Sequence, residues 1–243
     1  MAKTDLHNHL RTSSRPLKYF NEVTDAAYKT LGEGGVLGVV DFCDSRYKNL
    51  INLRGYERQN LGENQNGVYI PEKDIYIIGG QEVPTKEGHL LVLGTGINSH
   101  LKKGRRLEDS IKEAKDQNGI IIVDHPFYIS GLGSYLEKNT EILKEIDAIE
   151  IHNGEASFGF PFGPIPFNAN KKAQEFYTRI KPDFPNLGAI SSSDGHSIYE
   201  IGSSWTEIKR PDEKNFVNSI KESLQKTNEN SKMKSSSSIV GAM

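Results

Sequence analysis

Two histidines two residues apart open the chain, His7 and His9 in Asp5-Leu6-His7-Asn8-His9. In an extended segment such residues point to the same face, so the pair can grip one ion together. Asp194 and His196 repeat the spacing around Gly195. Between these ends, metal-binding groups recur beside short apolar runs. Asp41 closes Val36–Asp41, Glu82 follows Ile75–Gly80, and His89 begins His89–Leu93. His125 follows Ile120–Val123 and Asp124, while Glu150 and His152 close the next run. Imidazole suits zinc, iron or manganese, and a carboxylate can bridge two ions. A pair of such ions binds phosphate, lowers the pKa of a water and stabilises a leaving oxygen. A single His-x-His is often a surface accident and a single Asp-Gly-His often a turn. The recurrence carries the reading, because six of the seven histidines fall near predicted strand ends.

The elements that must position these groups are legible as alternating patterns. Short runs rich in Val and Ile predict buried strands at Val36–Asp41, Ile75–Gly79, His89–Leu93, Gly119–Val123, Ala148–Ile151, Gly188–Ser191 and Ser204–Ile208. Helical spacing links Phe20, Val23, Ala27 and Leu31, and also Leu107, Ile111 and Ala114. Further helices are predicted over Tyr135–Ile146, Ala169–Ile180 and Glu213–Leu224. Strands alternating with helices imply an α/β fold with a largely parallel sheet, and seven or so such units suggest a barrel. Functional groups then belong at the C-terminal ends of the strands. Arg46–Pro71 reads as a loop insertion near the site, and Phe158–Phe167 as an irregular Gly/Pro/Phe loop. The expected organisation is one barrel over residues 1–225 and a disordered serine-rich tail over 226–243.

Bulk properties narrow the class. With 243 residues and a formal net charge of −2, nothing global draws the chain to nucleic acid or membrane, so a substrate anion must be attracted locally. The single cysteine, Cys43, excludes an internal disulfide and reads as a small packed residue. No apolar run reaches the roughly 20 residues of a membrane span, and Met1–His9 lacks the apolar stretch of a signal peptide, so a cytoplasmic location is expected. His100 reads as solvent-exposed and Trp205 as a core residue.

These motifs together resemble the polymerase and histidinol phosphatase (PHP) family, from Thr4 to about Glu207. Asp5-Leu6-His7-Asn8-His9-Leu10 is similar to its first motif and Gly38-Val39-Val40-Asp41 to the strand of its second. Gly80-Gln81-Glu82-Val83 with Gly88-His89-Leu90 resembles its Glu motif and following His strand, and Val123-Asp124-His125-Pro126 its His-Pro motif. Glu150-Ile151-His152-Asn153 resembles its Glu-x-x-Asn segment and Ser193-Asp194-Gly195-His196 its closing motif. The resemblance implies a distorted, TIM-like (β/α)7 barrel and a hydrolytic site of two or three metals. It implies that His7, His9, Glu82 and Asp194 hold one cation, that Glu82 bridges to another held by His89 and His125, and that His196 serves a further position. The chain departs from the pattern twice: Ser14 stands where the family often has Asp or His, and Asp41-Phe42 where it usually has Asp-His. Both losses fall on one position, so two divalent ions (zinc, manganese or iron) are expected rather than three, unless Asp41 or Asp44 substitutes.

The expected activity is metal-dependent hydrolysis of a phosphorylated small molecule or nucleotide. Arg11, Arg15 and Arg46 are candidates to neutralise phosphate, since the guanidinium fork matches two oxygens. Each is equally a candidate for an ordinary surface charge. His196 is a candidate general acid if it is free of metal. A nuclease is the first alternative, suggested by Lys102, Lys103, Arg105 and Arg106, although a charged, solvated helix start is the blander account of them. A non-enzymatic metal-binding or assembly module with a degraded site is the second.

Overall fold

A computed structural model describes residues 1–10, 14–42, 45–62, 64–157 and 168–236. Arg11, Cys43, Asp44 and the Phe158–Phe167 segment lie outside the described residues. The chain runs β1 (Ala2–Asp5), α1 (Pro16–Leu31), β2 (Gly35–Val39), α2 (Ser45–Ile51), β3 (Gln59–Leu61), β4 (Gly67–Ile70), β5 (Ile75–Pro84) and β6 (His89–Leu93). It continues α3 (Leu107–Asp116), β7 (Ile120–Val123), α4 (Gly133–Leu136), β8 (Ala148–Asn153), α5 (Ala169–Ile180), β9 (Gly188–Ser192), β10 (Trp205–Ile208), α6 (Phe216–Leu224) and β11 (Met233–Lys234). The main sheet runs β11-β10-β1-β2-β5-β6-β7-β8-β9 and curls into a nearly closed, distorted barrel of the TIM-like (β/α)7 kind.

Local sequence explains the layers. In α1, Phe20, Val23, Ala27 and Leu31 fall at helical spacing and are buried against the sheet, Pro16 is tolerated in the first turn, and Gly32 ends the helix at φ 77°. β2 and β7 are buried along their whole length, as strands covered on both faces must be. Inward-facing Val36, Ile78, Leu91, Ile122, Ala148 and Ile190 form one cluster with Phe216, Val217, Ile220 and Leu224 of α6. A side chain at Gly188, the first residue of β9, would meet the Leu224 carbonyl oxygen at 2.1 Å, so α6 plugs the N-terminal end of the barrel. The opposite end is left to the polar residues that follow the strands.

Four expectations need correction. The sheet is not simply parallel: β1–β2, β2–β5, β7–β8 and β8–β9 are parallel, but β6 runs antiparallel to both neighbours. The turn between Pro84 and His89 is a tight one, closed by Thr85 N donating to Gly88 O, and too short for the crossover a parallel pair needs. Within the described residues Arg46–Pro71 carries structure, because Tyr47, Leu50 and Ile51 bury one face of α2 and Val68 and Ile70 anchor β4 antiparallel to β5. Tyr135–Ile146 is not one helix; α4 stops at Leu136, Asn139 Nδ2 donates to the Tyr135 carbonyl instead, and a 3-10 turn spans Thr140–Glu145. The stretch from Lys226 carries structure within the described residues: Thr227 is buried and Met233–Lys234 pair with β10 through Thr206 and Trp205. As expected, Trp205 packs against the core, partly buried beside the cluster of Phe20, Val23 and Leu31 with Lys3 Nζ 5.0 Å above its ring, and His100 is exposed.

The seam between β9 and β1 is closed by side chains. Asp5 Oδ1 accepts from Ser193 N (2.9 Å), and Asp5 Oδ2 accepts from Ser193 Oγ (2.6 Å) and Gly202 N (2.8 Å). Beyond it, Asn8 bridges to Gly195, and His9 N donates to the Gly195 carbonyl at 2.7 Å. Burial pushes the Asp5 carboxyl up to about 6 in spite of those donors. Asp5→Ala would strand three buried donors at about 1–3 kcal/mol each before relaxation. A net loss of about 3 kcal/mol is expected in urea unfolding; a change below about 0.5 kcal/mol would show that the seam is held elsewhere.

Candidate metal centre

The open end of the barrel gathers the groups singled out by spacing. His7 and His9 follow β1, Phe42 follows β2, Glu82 lies near the end of β5, and His89 starts the reversed β6, which brings it to the same end. His125 follows β7, and Asp194 and His196 follow β9. His9, Phe42, Glu82, His89, His125, Tyr128, Ile129, Ser130, Glu155, Asp194 and His196 line one pocket of about 180 Å³. Asp194 and His125 hold left-handed backbone, with φ 53° and 25°, the kind of strain that persists where surrounding contacts impose it.

Glu82 is at the centre. Its Oε2 faces His9 Nε2 at 2.9 Å and His7 Nε2 at 3.9 Å. Its Oε1 faces His125 Nε2 at 3.2 Å and also contacts His89 Nδ1. The His7 and His9 Nε2 atoms stand 3.1 Å apart, with Asp194 Oδ1 at 3.3 and 3.6 Å from them. Two groups whose donors are all buried suit metal coordination: His7, Glu82, Asp124 and His125 in one, and His7, His9 and Asp194 in the other, with ligating atoms within 4.8 Å of one another in each.

The surroundings fit a cation. His7 Nδ1 donates to Glu150 Oε1 at 3.1 Å, which turns the Nε2 lone pair toward the other donors. Glu150 Oε2 is in turn held by His125 N and Asn153 Nδ2, both at 2.9 Å. Asp124 Oδ2 lies 3.2 Å from His125 Nε2, but neither Asp124 oxygen has a hydrogen bond, although the residue is fully buried. Buried acceptors without donors are costly, and a cation would satisfy both.

Charge is tightly coupled here. Burial opposes ionisation of Glu82, but hydrogen bonds from His125, His7, His89 and His9 outweigh it and hold the carboxyl well below its usual range. Burial also opposes a charged His125, yet Asp124, Glu82 and Asp194 raise it to about 10; Asp194 and Glu150 likewise lift His7 well above its usual value. Burial pushes Asp124 up to about 7. Metal binding needs neutral imidazoles and ionised carboxylates. A divalent cation entering at pH 7 must therefore displace protons, so affinity should rise with pH through neutrality. Titration calorimetry in buffers of different ionisation enthalpy should show net proton release; heats independent of the buffer would contradict it.

Several expectations land elsewhere. Arg15 stands at the N-cap position of α1 and is exposed, and it is not among the described residues that line the pocket; Ser14 beside it is exposed as well. Arg46 Nε binds Asp41 Oδ2 at 3.0 Å, and Asp41 Oδ1 accepts from Phe42 N at 2.8 Å, so this arginine is engaged by a carboxylate and Asp41 is turned to it. A β-bulge between Glu150 and His152 breaks the two-residue alternation. Glu150 stays behind His7, and His152 Nε2 donates instead to the Ser236 carbonyl at 3.2 Å. His196 is half-exposed at the pocket mouth, its Nδ1 donating to the Asp194 carbonyl at 3.0 Å and its ring stacked 4.9 Å from that of His9. Spacing alone missed Asp124 as a member of the donor set, although it adjoins His125, and missed Glu155, which sits in an irregular turn with no periodic signal.

Comparisons with known proteins agree with the fold described above. Residues 167–223 match a family described as PHP-associated. No curated protein matches the chain. The lesion-specific endonuclease PfuEndoQ from Pyrococcus furiosus superposes with a TM-score of 0.59 at 16% identity, covering 96% of this chain and 57% of that one. An endonuclease Q bound to a 27-mer duplex with an abasic lesion at its active site gives 0.57 at 17% identity, covering 96% and 58%. The chain thus spans little more than half the length of these solved proteins.

Proposed function

We propose that this chain, which belongs to the PHP family, hydrolyses phosphoesters with divalent cations held at the open end of its barrel. The observation that carries the reading is the placement of Glu82, with one carboxylate oxygen toward His7 and His9 and the other toward His89 and His125. In that arrangement the carboxylate could be shared by two cations, with Asp194 adding an anionic donor on the first side and Asp124 on the second. When bound, the cations would supply an activated water and a clamp on the phosphoryl oxygens. The protein's own part is to hold the donors. Glu150 fixes the His7 tautomer, Asn153 holds both Glu150 and Asp194, and burial keeps the carboxylates strongly paired. The narrow pocket, with Phe42, Tyr128 and Ile129 on its wall, suits a phosphoryl group with a small or flat substituent. Zinc, manganese and iron all suit this imidazole–carboxylate set.

The test is a screen of phosphomonoesters, phosphodiesters and short oligonucleotides, with the protein loaded separately with manganese, zinc and iron. Hydrolysis of at least one class, abolished by chelation, is the expected result. Protein that binds the metals yet turns over nothing would overturn it and favour the assembly module; the retained donor set speaks against that module.

A second reading, cleavage of nucleic acid, has one specific support besides the fold similarity to endonucleases. Lys102 and Lys103 are exposed on a segment tied to the site end of β5, where Gly104 N donates to Pro84 O (2.7 Å) and Lys86 N to Arg105 O (2.8 Å). Arg105 and Arg106 are partly spent on Glu113 and Glu108. Salt-sensitive oligonucleotide binding, weakened by Lys102→Glu with Lys103→Glu, would favour the nuclease.

A further inference from the structure

We infer that Glu155, with Asp194 and His196, forms a third, exchangeable cation position at the pocket mouth. The inference rests on the metal-dependent reading above. Phe42 offers only a ring, 5.7 Å from that of His9 and 5.6 Å from that of His89, and Asp41 is turned to Arg46. Across the pocket, one ligating atom each from Glu155, Asp194 and His196 lies within 4.8 Å of the others. This set mixes two carboxylates with an imidazole, the donor chemistry of the inner positions.

The local structure presents these groups. His196 Nδ1 lies 3.0 Å from the Asp194 carbonyl oxygen and 3.9 Å from Glu155 Oε2, so the imidazole and both acidic residues meet at one point of the pocket mouth. Glu155 opens the 3-10 turn Glu155–Ser157 directly after β8. Asn153 anchors that turn by accepting from Ala156 N at 2.9 Å, while its amide nitrogen holds Asp194 Oδ2 at 3.1 Å. One buried side chain therefore links the Glu155 turn to the Asp194 carboxylate. Gly154 lets the two loops approach, since a Cβ there would meet the Ser193 carbonyl at 2.5 Å. The Glu155 and His196 side chains are 44% and 48% exposed, so solvent or substrate oxygens can complete the shell and the ion can leave. His196 is thereby assigned to the cation, not to protonation of the leaving oxygen.

The test uses the full chain and Mn²⁺ alone, with bound ions counted by equilibrium dialysis and elemental analysis. The wild type should bind two Mn²⁺ tightly and a third at least tenfold more weakly. Glu155→Gln and His196→Gln should each lose the third ion and keep the first two, while Glu155→Asp retains it. Circular dichroism confirms that each variant is folded, and the second variant serves if the first is not. Two ions in the wild type with no third at millimolar Mn²⁺, or a third ion that survives both Gln variants, would overturn this inference and leave the two-cation reading standing. No tightly bound Mn²⁺ at all would overturn both.

Discussion

Glu82→Ala should abolish turnover while the barrel still folds. The carboxylate lies between two imidazole pairs, so its removal takes a donor from both proposed cations and leaves like-charged ions without the anion that screens them. A fall in kcat/KM on the order of 10³-fold or more is expected, about 4 kcal/mol of transition-state stabilisation, together with loss of at least one tightly bound ion. Glu82→Gln keeps the volume and separates coordination from packing, and should fail almost as badly. Steady-state kinetics and metal content measured on the same samples check this. Turnover within threefold of the wild type would show that Glu82 is not shared between cations.

The second large effect comes from a residue that carries no chemistry. Gly38 lies under the segment that leads from β1 into the His-x-His pair. A Cβ there would sit 2.1 Å from the Leu6 carbonyl oxygen and 2.7 Å from Leu6 Cα, contacts that no rotamer change relieves because the neighbour is backbone. Gly38→Ala must push β1 away from β2. Overpacking a well-filled site costs about 1–3 kcal/mol, and about 3 kcal/mol is expected here. Because His7 and His9 move with β1, Mn²⁺ affinity should fall at least tenfold in the molecules that remain folded. Denaturant unfolding and dialysis together test this. Unchanged stability with unchanged Mn²⁺ binding would mean that β1 is not held in this register.

These two residues also mark what was legible in the sequence. His7, His9, Glu82, His89, His125, Asp194 and His196 were readable because each stands beside an apolar run at a strand end, and the structure brings all seven to one end of the barrel. Closure of the barrel was readable as repetition. The reversed β6 was not, since an apolar run such as His89–Leu93 has no direction of its own; the short turn before it decides that. The divergence of Glu150 from His152 was hidden because a β-bulge defeats the period of two. Asp41 looked like a spare ligand until Arg46, five residues on and in a stretch read as loop, turned out to hold it. Arg11 and Asp44 fall outside the described residues, so their proposed parts rest on sequence alone. Glu155 belongs to no pattern; only folding brings its turn beside Asp194. Periodic signals thus reveal the groups that strands deliver. Groups delivered by turns and side-chain links become visible only in three dimensions.

The central claim is that Glu82 is shared by two cations at the open end of the barrel. Anomalous scattering from a crystal of the Mn²⁺-loaded protein tests it most directly. The account predicts two strong peaks flanking the Glu82 carboxylate, one beside His7, His9 and Asp194 and the other beside His125 and His89. A single peak away from Glu82, or none in protein shown to contain the metal, would contradict it.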